Sequence, residues 1–248
     1  MAPWDVGHEA LRVAHLPVIA HPFTEHVDRA RIGELAGFLF GDDLERDWER
    51  RFGHVALVWI SAMDADDVAG HLGELGRPGL RGSRLMRSNW ARLLFADGSA
   101  VQLASDGGSV TLGGFGRLRR IRTSPRMIDG TRSGGPPGPI HNDKIFLVVP
   151  GARLVGRCQA GSEIEASIVV QHPGAEPFRY AQMGHCSGQG RFELRVPYAN
   201  TGMGHQLRAG PAWTLTANGE ERWRARVSER DVQLSAEVTV SDFYADRP

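Results

Sequence analysis

The chain has 248 residues, 41% hydrophobic and 23% charged, with 29 basic residues balanced by 29 acidic ones. That length suffices for one large domain or two small ones, and the composition excludes a disordered chain and gives no reason to expect a nucleic-acid partner. No apolar run approaches the roughly 18 residues of a membrane-spanning helix, and the N-terminus lacks the basic-then-apolar layout of a signal peptide.

Helices and strands alternate in the first half. Thr24 is an N-cap for a helix whose Val27, Leu35, Phe38 and Leu39 share one face, with Gly41 closing it. Asp42 and Asp43 begin a second helix, with Leu44, Trp48 and Phe52 every four residues, that stops at Gly53. A strand follows over 54–60. A helix over 64–75 starts with acidic residues that suit the positive end of its dipole and ends at Gly76 and Pro78. A short helix over 85–95 closes in the turn Ala96-Asp97-Gly98. These elements predict a mixed α/β domain over residues 1–131.

Residues 98–116 are glycine-rich and read as irregular. Gly113-Gly114-Phe115-Gly116 precedes no helix, so it reads as a flexible turn rather than a phosphate cradle. Residues 132–141 read as a linker. Beyond it, short alternating strands at 145–149, 163–170, 178–183, 191–196, 213–216, 222–227 and 232–240 are punctuated by turns such as Asn218-Gly219. That spacing predicts an antiparallel β-sandwich or barrel over residues 142–248. The fold class expected for the whole is α+β.

Few residues carry an obvious chemistry. Gly184-His185-Cys186-Ser187-Gly188 has the letters of a nucleophile elbow, but a strand rather than a helix follows, so a hairpin turn is expected. His8, His15, His21 and His26 lack metal-ligand spacing, and no metal site is expected. Cys158 and Cys186 fit neither a metal site nor a redox dithiol and are either free buried thiols or one disulfide. That the basic residues are nearly all arginine, with Lys144 the only lysine, reads as codon bias. Two arginine groups, Arg77-Arg81-Arg84-Arg87 and Arg117-Arg119-Arg120-Arg122-Arg126, read as solvated faces or as a basic rim for anionic head groups or a pyrophosphate.

Five segments carry a resemblance. Pro3-Trp4-Asp5-Val6-Gly7 is similar to a WWDYG signature, and Leu16 to Phe23 to the "RPVVANPF" segment after it. Ser88 to Gly98 is similar to "s-x-y-A-K-L-y-x-x-D-G", Lys144 to Ala152 to "K-V-F-E-y-V-x-G-A", and Gly190 to Tyr198 to "G-x-F-x-x-x-V-P-Y". In this order they resemble the catalytic subunits of archaeal and bacterial oligosaccharyltransferases, membrane enzymes that move a lipid-linked glycan onto asparagine. The resemblance implies a soluble C-terminal region on the extracytoplasmic side of the cell membrane.

Within that resemblance Trp4, Asp5 and Gly7 belong to the acceptor site, where indole N–H donors and a carboxylate meet the sequon hydroxyl. Read without it, Asp5 caps a helix and Trp4 packs in a core. Pro3 and Val6 replace a tryptophan and a tyrosine, so one hydrogen bond to the sequon is lost. Met63 and Asp64 stand where a second acceptor element, M-x-x-I or D-x-x-K, is expected; neither pattern fits, and the run reads as an acidic helix start. The outward location implied by the family favours the Cys158–Cys186 disulfide.

No catalytic residue or cofactor is expected in this chain. The resemblance assigns the Mn or Mg ion and its acidic ligands to a membrane part. Implied partners are that transmembrane domain, an acceptor with an N-x-S/T sequon and a lipid-linked oligosaccharide. Two other readings remain: a noncatalytic carbohydrate-binding or adhesion module, with Trp213 and Trp223 exposed to stack on sugars, and a family member that has lost transfer.

Overall fold

The computed structural model describes residues 57–61, 86–105, 108–123, 126–133, 137–172, 176–203 and 207–242. The helices expected over 24–41, 42–53 and 64–75 lie outside them. In chain order the described elements are β1 (Leu57–Ser61), α1 (Asn89–Ala96), β2 (Val101–Ser105), β3 (Gly108–Leu112), β4 (Leu118–Thr123), β5 (Met127–Asp129), β6 (Pro139–His141), β7 (Asp143–Val148) and β8 (Ala152–Arg157). They continue as β9 (Glu163–Gln171), β10 (Phe178–His185), β11 (Arg191–Val196), β12 (Arg208–Ala209), β13 (Trp213–Ala217), β14 (Glu220–Ala225), α2 (Glu229–Gln233), β15 (Glu237–Thr239) and β16 (Ser241–Asp242). The described chain is mostly strand, in several antiparallel sheets, and it divides into two compact units.

In the first unit β1 pairs antiparallel with β7, from Leu57↔Leu147 to Ser61↔Asp143. Val58, Ile60 and Phe146 are fully buried, and α1 packs on these two strands through Trp90, Leu93 and Leu94. The helix starts where Ser88 Oγ accepts the Ala91 N–H at 3.2 Å, which satisfies a donor the first turn leaves orphaned. It stops at Asp97, whose left-handed backbone (φ 56°) turns its N–H to the Arg92 carbonyl. The expected linker at 132–141 contains β6, paired with β5, and residues 98–102 and 109–121 already belong to the second unit, to which the chain returns after Val148.

The second unit holds two larger sheets. One runs β10-β9-β13-β14-β16, with β12 also on β9; the other runs β11-β8-β15. Alternation places Ile164, Ala166, Ile168 and Val170 of β9 and Phe192, Leu194 and Val196 of β11 inside. Asn218 and Gly219 (φ 51° and 84°) make the two-residue β13–β14 turn, in which both positions require positive φ.

Three expectations fail here. The strand read over 232–240 is α2 followed by β15: Ser228 and Asp231 form a reciprocal capping box that starts a helix. β15 then joins β8 in parallel, so the module is not purely antiparallel. The irregular stretch at 98–116 contains the β2–β3 hairpin, and its glycines are sites of close approach rather than of flexibility. A Cβ on Gly114 would lie 2.5 Å from the Ala181 carbonyl oxygen, and one on Gly116 2.5 Å from that of Arg195. Phe115 between them is buried, and its carbonyl accepts the Tyr180 hydroxyl at 3.0 Å.

Candidate functional site

Trp4, Asp5, Gly7, Met63 and Asp64, the residues expected to bind an acceptor, lie outside the described residues, as do the N-terminal histidines and Arg77, Arg81 and Arg84. Cys158 and Cys186 are joined as a disulfide, with Cα atoms 5.9 Å apart. Cys186 therefore has no thiol to serve as a nucleophile. Its segment is a turn into β11, closed by Ser187 N–H to Arg191 O at 2.8 Å and Gly190 N–H to Ser187 O at 2.9 Å.

The second arginine group is neither a solvated face nor a basic rim. Arg119 and Arg120 are each 4% exposed. Arg119 donates to the Pro197 carbonyl at 2.7 Å and pairs with Glu229 at 2.8 Å. The Arg120 guanidinium lies 3.5 Å from the centroid of the Phe178 ring, beside His172. Both arginines belong to the second unit and brace its core; only Arg122 and Arg126 of the group are exposed.

The family-like segments have structural roles of the same kind. Lys144 reaches Asp97 in a largely buried ion pair of 2.5 Å. Gly151 sits at φ 79°, where a Cβ would lie 2.4 Å from the Gly116 carbonyl oxygen. The Tyr198 hydroxyl accepts the Arg120 N–H at 2.8 Å, and its carbonyl accepts Trp213 Nε1 at 3.0 Å. Trp213 is fully buried, which removes it as a sugar-stacking surface.

Among the described residues a cleft of about 1640 Å³ opens in the second unit. It lies where the ends of β8, β11 and β15 face the β13–β14 hairpin. Gly156 has no side chain, and a Cβ there would strike the Phe192 ring at 2.6 Å. Phe192 therefore lies across β8 and supports the indole of Trp223, at a ring-centroid distance of 5.4 Å. Trp223 is half-buried and lines the cleft with Arg157, Arg191, Arg222 and Glu237. Nothing local in the sequence signals this group, because Arg157 and Arg191 meet only through strand pairing. Among the described residues no three His, Cys, Asp or Glu side chains converge, so these residues do not fit a divalent metal ion's ligand set.

Residues 151–238 match the family described as archaeal glycosylation protein B long peripheral domain. The crystal structure of the Archaeoglobus fulgidus oligosaccharyltransferase in complex with Zn and sulfate shares the fold at a TM-score of 0.70 and 16% identity, over 96% of this chain and 40% of that one. The archaeal oligosaccharyltransferase from Archaeoglobus fulgidus in complex with an inhibitory peptide and a dolichol-phosphate matches at a TM-score of 0.69 and 16% identity, over 96% and 37%. The Archaeoglobus fulgidus enzyme tethered to an acceptor peptide with an NVT sequon matches at 0.68 and 15%, over 95% and 37%. This chain thus spans about 40% or less of the length of those proteins. No curated protein sequence matches it. Residues 151–238 are thus similar to the archaeal glycosylation protein B long peripheral domain, and the chain shares its fold with part of the Archaeoglobus fulgidus oligosaccharyltransferase.

Proposed function

We propose that this chain is the extracytoplasmic C-terminal region of a membrane oligosaccharyltransferase-like glycosyltransferase, and that it contributes recognition of the acceptor sequon in protein N-glycosylation. The observation that carries the reading is the peripheral-domain match at 151–238, within a fold shared over 96% of the chain. On this reading an N-terminal mixed α/β domain holds the acceptor motif, and the two sheets of the second unit form a β-sandwich. Trp4 and Asp5 take the hydroxyl of the sequon Ser or Thr, the Asp5 carboxylate accepting its proton in a charge-assisted hydrogen bond. Pro3 carries no side-chain donor, so this contact rests on fewer groups than the WWDYG pattern provides.

The reaction is attack by the sequon amide nitrogen on the anomeric carbon of a lipid-pyrophosphate glycan. A transmembrane part supplies the Mn or Mg ion and holds the lipid-linked donor. This chain orients the acceptor and contributes no bond-making group. Transfer assays in the complete membrane protein test this. Asp5→Ala lowers transfer roughly ten- to a hundredfold at low substrate, the loss of one charge-assisted hydrogen bond. Asp5→Ser, which caps a helix as well as Asp does, also impairs transfer while leaving the melting temperature unchanged. Equal activity of Asp5→Ser and the unsubstituted protein on a Thr sequon would reduce Asp5 to a helix cap.

A further inference from the structure

We draw no further inference here: the strongest candidate, the cleft of the second unit that opens between the ends of β8 and β11 and the β13–β14 hairpin, with Trp223 in its lining, carries none, because nothing in the structure shows what covers it.

Discussion

The ammonium of Lys144, the chain's only lysine, is ion-paired with Asp97, so that the C-cap of α1 is tied to the start of β7. Both side chains are largely buried, at 6% and 16% exposure. A compact ammonium on a flexible stem thus reaches the carboxylate of a residue already committed to a left-handed cap.

Breaking a buried pair from one side strands the other charge. Lys144→Met should lower stability by about 3 kcal/mol, measured by urea denaturation. Lys144→Met/Asp97→Asn should recover much of that loss, since asparagine tolerates the left-handed cap and no charge is left unmatched. A double variant as unstable as the sum of the single ones would show that the pair is not coupled.

The glycines separate two physical causes. Gly219→Ala meets nothing within 4 Å but must hold φ 84°, so it should cost about 1–2 kcal/mol. Gly114→Ala keeps an ordinary φ but drives a Cβ to 2.5 Å from a backbone oxygen, and should cost about 1–3 kcal/mol. Gly151→Ala combines both faults and should be the most destabilising, ranked by thermal melts of the three variants.

Reduction should matter. The Cys158–Cys186 bond closes a loop with a sequence separation of 28, which corresponds to roughly 3–4 kcal/mol of chain-entropy stabilisation. Intact mass should rise by two hydrogen atoms on reduction of protein made in an oxidising compartment, and Cys158→Ser/Cys186→Ser should melt markedly lower. An unchanged mass would remove the bond.

Within the arginine run, position rather than composition should set the effect of substitution. Arg119→Met strips Glu229 of its cationic partner and removes a donor from the Pro197 carbonyl, at a cost of about 3 kcal/mol. Arg120→Lys retains charge but loses the planar stacking on Phe178, a smaller cost of about 1 kcal/mol. The exposed Arg122→Gln should stay within about 0.5 kcal/mol of the unsubstituted protein in the same denaturation experiment.

Local periodicity alone located β9, β10, β11, β13 and α1, because each has its own alternating or helical pattern and its own boundary: Ser88 and Asp97 for the helix, Asn218-Gly219 for the hairpin. It did not locate α2, where Val232 and its apolar neighbours mimic strand alternation and only the Ser228–Asp231 box betrays the helix. Nor did it show that Arg119, Arg120 and Trp213 are interior. Their burial depends on Pro197, Glu229 and Tyr198, partners 15 to 110 residues away in the chain. The Arg157–Arg191 opposition has the same origin, since the register of β8 against β11 brings the two together and no spacing in the sequence records it. Side-chain period and cap chemistry act over a few residues and are written in the chain; which charge meets which partner is decided only when separate strands pair and close over one another.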